Sequence, residues 1–112
     1  MKIKEKNILN ETGEVISTVP QIIEKLLEVD DLLIIQMPGF VKNEDYIRSN
    51  VWCFDKKGKK IWEVEPVKSA TKYDSYSNTY IQDGKLFVVS GSGISSEIDI
   101  QTGKILNTEF LK

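Results

Sequence analysis

The chain has 112 residues, of which 40% are hydrophobic and 29% charged, and a net charge of −2, a composition that fits one folded domain and excludes a disordered or fibrous class. It has no histidine and one cysteine, Cys53, which rules out an internal disulfide, the Cys/His zinc patterns and every triad that depends on imidazole. Fifteen basic residues against seventeen acidic ones give no overall attraction to nucleic acid or to an anionic membrane.

Residues 2–9 suit a strand, and the turn chemistry of "NETG" at positions 10–13 leads to a second strand over 14–18. The first ten residues, "MKIKEKNILN", lack the apolar core of a secretory signal, so a cytoplasmic protein is expected. Thr18 offers a helix cap with Pro20 close behind, and Ile22, Ile23, Leu26 and Leu27 recur at i, i+1, i+4 and i+5. The spacing predicts a short amphipathic helix over 20–28 that packs on the sheets. Leu32 to Met37 is an apolar run of strand length, stopped by Pro38-Gly39; its unbroken apolar part, Leu32 to Ile35, is far too short to span a membrane.

Residues 40–50, "FVKNEDYIRSN", lack periodicity and read as a loop. Residues 51–55 and 61–64 then form a hairpin, with Val51 and Cys53 on one face of the first strand and Trp52 and Phe54 on the other. Both faces are apolar, so this strand is expected to be covered on both sides. A second irregular stretch covers 65–77. Strands at 78–82, 85–90, 96–100 and 104–110 follow, separated by "DG", "GSG" and "QTG".

One phrase occurs three times: "LNETGEVI" from Leu9, "FDKKGKKI" from Phe54 and "IDIQTGKI" from Ile98. Each holds an apolar residue, Asp or Asn, a short polar turn, a glycine, a charged residue and a new strand. The Asx side chain can bond the backbone of the turn, and the glycine can take the positive φ that closes it. Gly13, Gly58 and Gly103 stand 45 residues apart (58 − 13 and 103 − 58), the period of a four-stranded propeller blade. In "DGKLFVVS", "EIDIQTGKIL" and, more loosely, "NVWCFDKKGKKIW", the chain resembles the blades of quinoprotein and WD-repeat propellers. That resemblance concerns scaffold, and the quinone-binding and metal-binding residues of those enzymes have no counterpart here.

A closed propeller takes at least four blades, and the chain holds two full repeats plus the last hairpin of another. The fold expected is mainly β, with antiparallel blade-like sheets packed as an open sandwich or partial propeller and one short α-helix in the N-terminal half. It forms a single domain over 1–112: hairpin 2–18, helix 20–28, and blade-like repeats 31–64 and 78–110. An oligomer that completes a ring is the structural alternative.

Most candidate sites have a plainer reading. "SGSGISS", residues 90–96, runs on into a strand rather than the helix a phosphate loop needs, and reads as a turn. The lysines of "KKGKK" solubilise a hairpin turn. Cys53 lies mid-strand among apolar residues, where a thiol is buried and inert. Glu63 and Glu65 share a strand face, as glycosidic carboxylates do, but read as a solvated edge. The acidic groups at 28–31 and 43–45 offer too few ligands for a cation.

The binding candidates are therefore loop carboxylates and tyrosines: Glu28, Asp30, Asp31, Glu44, Asp45, Glu63 and Glu65 for charge, with Tyr46, Tyr73 and Tyr76 as anchors. In size, acidity and degenerate blade-type repeats the chain resembles immunity proteins of bacterial polymorphic-toxin and contact-dependent growth inhibition systems. The resemblance implies a non-catalytic binding protein that occludes the active site of a toxin domain, a nuclease, without cofactor, metal, membrane or nucleic-acid partner. A self-assembling propeller-like module is the alternative function.

Overall fold

The computed structural model describes residues 2–39, 48–67 and 74–110. Among these the chain is all antiparallel β, in three sheets. Sheet A holds β1 (Lys2–Lys4), β2 (Asn7–Leu9) and β3 (Val15–Thr18) in that order. Sheet B is a four-stranded meander of β4 (Lys25–Val29), β5 (Leu32–Gln36), β6 (Val51–Asp55) and β7 (Lys60–Glu63). Sheet C repeats the meander with β8 (Tyr76–Gln82), β9 (Lys85–Ser90), β10 (Ile94–Ile98) and β11 (Ile105–Phe110).

The helix expected over 20–28 is absent, and β4 takes its place. Lys25 to Val29 pair residue by residue with Gln36 to Leu32, closed by the tight Asp30–Asp31 turn with Asp30 at φ 53°. The misreading has a physical cause. Sheet B is covered on both faces, so adjacent residues of one strand are both apolar: Leu26 packs into the core shared with sheet A and Leu27 into the core shared with sheet C. Two apolar residues in succession, repeated four positions on, look helical but here serve opposite sides. Upstream, Ile22 is exposed and Ile23 buried, and Thr18 ends β3, its hydroxyl donating to Asn7 Oδ1 at 2.8 Å. Smaller shifts affect β8, which starts at Tyr76 rather than 78, and β10, which covers Ile94–Ile98 rather than 96–100.

The expectation for β6 holds. Phe54 and the partly buried Trp52 pack with Ile8, Leu33 and Ile35 between sheets A and B. Val51 and Cys53 pack with Ile34, Trp62, Leu86 and Ile98 between sheets B and C. Sheet B is thus the middle layer, and its central strands contain the most deeply buried side chains.

The recurring phrase is the turn from the third to the fourth strand of each meander, in sheet A the turn from β2 to β3. Asp55 Oδ1 accepts the Lys57 and Lys59 amides at 2.9 and 3.0 Å, and Asn10 Oδ1 accepts those of Thr12 and Glu14 at 3.1 and 2.9 Å. Asp99 Oδ1 accepts the Gln101 amide at 2.9 Å. These donors, that of Lys59 foremost, hold the Asp55 carboxyl below its ordinary range. Gly13, Gly58 and Gly103 all have positive φ, at 87°, 92° and 76°. Two of them carry a second constraint. A Cβ on Gly58 would lie 2.0 Å from the Ile16 carbonyl oxygen of sheet A, and one on Gly103 would lie 2.6 Å from the Trp62 ring of sheet B. Each turn is therefore the point where one sheet seats on its predecessor. Among the described residues, nothing lies within 4 Å of the Cβ position of Gly13.

A buried polar link joins sheets B and C. Asn50, fully buried, donates from Nδ2 to the carbonyls of Met37 and Tyr76, both at 2.7 Å. Its Oδ1 accepts the Tyr76 amide at 3.0 Å. All side-chain functions of this residue are used, and it fixes where β8 starts against β6.

Three measurements test this packing. In equilibrium denaturation, Gly13→Ala is expected to cost about 1 kcal/mol, for backbone strain alone. Gly58→Ala and Gly103→Ala add a steric conflict with the neighbouring sheet and are expected to cost about 3 kcal/mol or more; equal costs at all three sites contradict the seating role. Asn50→Ala is expected to lose about 3 kcal/mol because it strands buried backbone groups of Met37 and Tyr76, and a loss under 1 kcal/mol contradicts it. Burial, reinforced by Asp55, pushes the Cys53 thiol up to about 12. The folded state therefore favours the protonated thiol, and this contribution is complete below the unfolded value of 9.0 and is lost as pH rises towards 12. Alkylation of Cys53 at pH 8 is expected only at the rate of global unfolding, and rapid labelling of native protein contradicts the burial.

Candidate functional site

The turn hydrogen bonds equate Asn10, Asp55 and Asp99, and the pairing of the flanking strands carries this equivalence across each sheet. Ile8 pairs with Ser17, Cys53 with Trp62 and Glu97 with Asn107, in each case just before the register shift that precedes the turn. Rows of side chains can therefore be compared between sheets. In sheet B the row facing C is Leu27, Ile34, Cys53 and Trp62, all part of the core or packed on it. In sheet A the row facing B is Ile3, Ile8 and Ser17.

The same row of sheet C is Tyr80, Phe87, Glu97 and Asn107, and it faces outward. Tyr80 and Phe87 stack with centroids 5.4 Å apart and planes inclined by 20°. Beside them Ser95 pairs with Glu109, where the B–C interface has Val51 and Val64. Together with Gln82 these residues line a shallow concavity of about 270 Å³. Glu97 and Glu109 lie on diagonal positions of adjacent strands, a separation of about 7–8 Å. Neither has an ion-pair partner among the described residues. An aromatic platform flanked by two such carboxylates attracts a cationic group over the ring faces and presents amides and a hydroxyl around it.

The residues singled out from the sequence do not gather into one site. Glu28 lies on β4 and Glu63 on β7, the opposite edges of sheet B. Asp30 and Asp31 form the exposed β4–β5 turn. Glu63 is engaged with Lys60 at 2.6 Å, and Lys60 also sits 4.3 Å over the Trp52 ring. Glu65 joins sheets: its Oε1 accepts the Ile105 amide at 2.9 Å, its own amide donates to Gly103 O at 2.8 Å, and its carbonyl accepts the Tyr76 hydroxyl at 2.8 Å. Tyr76 is 2% exposed, and burial, with the charge of Glu65 next in weight, raises its phenol. It is a core residue and offers no surface to a partner. Glu44, Asp45, Tyr46 and Tyr73 fall outside the described residues.

The sheet C face escaped notice because its residues lie in strands that read as scaffold. A signal was present: superposed on their repeat equivalents, Cys53 becomes Glu97, Trp62 becomes Asn107 and Val64 becomes Glu109. The face that the repeat makes apolar in sheet B turns polar on β10 and β11, while on β8 and β9 Tyr80 and Phe87 stand where sheet B has Leu27 and Ile34.

Among solved structures, the crystal structure of the computationally designed Ika8 protein matches with 12% sequence identity and a TM-score of 0.49. The match covers 91% of this chain and 42% of that one, so the chain spans less than half of that protein's length. No curated protein matches the chain. Residues 3–110 match the family described as a domain of unknown function, DUF7957, and over that nearly complete span the chain belongs to this family.

Proposed function

We propose that this protein is a non-catalytic binding protein whose working surface is the outer face of sheet C, and that the surface it accepts is cationic. The observation that carries the reading is the outward-facing row of half-buried Tyr80, Phe87 and Glu97 and exposed Asn107, whose apolar equivalents in sheets A and B are spent on packing. Stacked rings supply contact area at low entropic cost, and the carboxylates supply steering and register. A rigid sheet face holds these groups in place before the partner arrives, which lowers the ordering cost of association.

The partner proposed is a bacterial toxin domain, a nuclease, whose substrate cleft is cationic because it receives phosphates. Glu97 and Glu109 then occupy the position of substrate charge, Phe87 and Tyr80 fill the adjoining apolar surface, and inhibition follows by occlusion. The small size, the acidic balance and the degenerate repeats support this immunity role.

Co-expression with the product of the gene immediately upstream tests both parts of the proposal. The wild-type chain is expected to protect the host. The double variant Glu97→Lys/Glu109→Lys, shown folded by circular dichroism, is expected to bind at least about 30-fold more weakly, the effect of losing about 2 kcal/mol of interfacial charge pairing. Phe87→Ala is expected to weaken binding to a similar degree as a lost anchor. A toxic upstream product against which the wild-type chain gives no protection ends the immunity reading. Full protection by the double variant removes sheet C as the surface.

A further inference from the structure

The opposite end of the stack has its own modified face. In sheet A the outward rows are Lys4, Asn7 and Thr18, and Lys2, Leu9 and Val15. By the same pairing logic, Lys4 and Lys2 occupy the places of Ile35 and Leu33 in sheet B and of Val88 and Leu86 in sheet C. All four of those residues are at most 1% exposed. The two outer faces are thus complementary: ammonium groups on A, and on C carboxylates without an ion pair among the described residues. Each also keeps an apolar group in the open, Val15 at 55% exposure next to Leu9 on A, and Leu106 at 59% on the edge strand β11 of C.

Polar end faces alone are the ordinary device that keeps a repeat stack soluble. Solubility does not require opposite signs at the two ends, nor a stacked aromatic pair on one of them. The turn geometry adds a further correspondence. Gly58 seats on Ile16 and Gly103 on Trp62, each on the last strand of the preceding sheet. The equivalents of Ile16 and Trp62 in sheet C are Leu106 and Asn107 on β11, exposed at the surface. Gly13, with open space around its Cβ position, is the turn that would seat there.

We infer that the outer face of sheet C receives the outer face of sheet A from a second copy of this chain, so that two copies close a ring. The inference rests on the reading of sheet C as a cation-seeking surface and names a partner for it. The described residues form three sheets, fewer than the four at which such rings begin to close, while two copies supply twice that number, inside the range of four to eight. The contact is heterologous, A on C, and occurs twice in the ring, so no outer face is left over. Lys2 and Lys4 meet Glu97 and Glu109, Leu9 and Val15 cover the aromatic pair, and Gly13 seats on β11. Because the interface is polar compared with the A–B and B–C cores, it is salt-sensitive and yields to a stronger cationic ligand. A partner and the second copy therefore compete for sheet C.

Native mass spectrometry and light scattering at low ionic strength, over a range of protein concentrations, test the inference. The full chain is expected at twice its monomer mass, with dissociation promoted by salt as the Debye length falls below 10 Å. Lys2→Glu/Lys4→Glu and Glu97→Lys/Glu109→Lys are each expected to dimerise at least about tenfold more weakly, since each sets like charges face to face. An equimolar mixture of the two variants is expected to restore the dimer, because both of its interfaces then pair opposite charges. Since neither face is core, both variants are expected to keep the wild-type circular dichroism spectrum; should one not fold, the response of wild-type dimerisation to salt decides. A wild-type chain that stays monomeric at 100 µM (about the upper range for a useful interface), a dimer insensitive to both reversals and salt, an open polymer, or a mixture that fails to pair overturns the ring. A monomeric wild-type chain that still protects against the toxin overturns the ring alone, and a salt-sensitive dimer that gives no protection overturns the toxin partner alone.

Discussion

The seating of one sheet's turn on the last strand of the sheet before it governs the rest of the structure. At Gly58 and Gly103 the backbone approaches a neighbouring sheet so closely that no side chain can intervene, and the same turn needs a positive φ that only glycine takes without strain. Asp55 and Asp99 close the turns by binding backbone amides. A local hydrogen-bond pattern thereby sets a long-range relation. Sheets separated by 45 residues of sequence stack in the same sense, and the middle one has to be apolar on both faces. Asn50 completes the arrangement on the B–C side by satisfying buried backbone groups from two strands at once.

This stacking also explains where binding chemistry becomes available. Positions that face the next sheet are apolar throughout B and, apart from Ser17, in the matching row of A, because another layer covers them. In C no sheet among the described residues covers them, and the physical requirement for an apolar residue is lifted. Selection of Glu97, Asn107 and Glu109 there removes a hydrophobic patch that invites aggregation, yet Tyr80 and Phe87 remain stacked in the open. Sheet A shows the mirror case, with Lys2 and Lys4 where the other sheets carry buried aliphatic residues. Function in this molecule is therefore sought at the ends of the stack, where the repeat is broken in chemistry but not in backbone.

Much of the architecture was legible in the sequence because turns depend on local chemistry. Three Asx-to-glycine phrases in phase are visible without any knowledge of packing, and so is the two-faced apolar character of "VWCF". The strand β4 was not legible, because a strand in a middle layer loses the alternation that identifies strands: Leu26 and Leu27 are both apolar for two different cores. The binding residues inferred from loops fared differently from one another. Tyr76 proved to be core, and Glu65 a clamp between sheets, since neither burial nor an inter-sheet hydrogen bond leaves a mark in a single sequence. The face on sheet C needed a comparison between repeats, in which the informative event is the substitution of a carboxylate for an apolar residue at one equivalent position.

Sheet B lies between A and C, and its two cores set the order of the stack. Amide hydrogen exchange measured strand by strand on the native chain tests it most directly. The account requires the slowest exchange in β5 and β6, with β4 protected in the pattern of a strand paired to β5. Slowest exchange in sheet A or at β11, or helical protection with i to i+4 connectivity across 20–28, would contradict it.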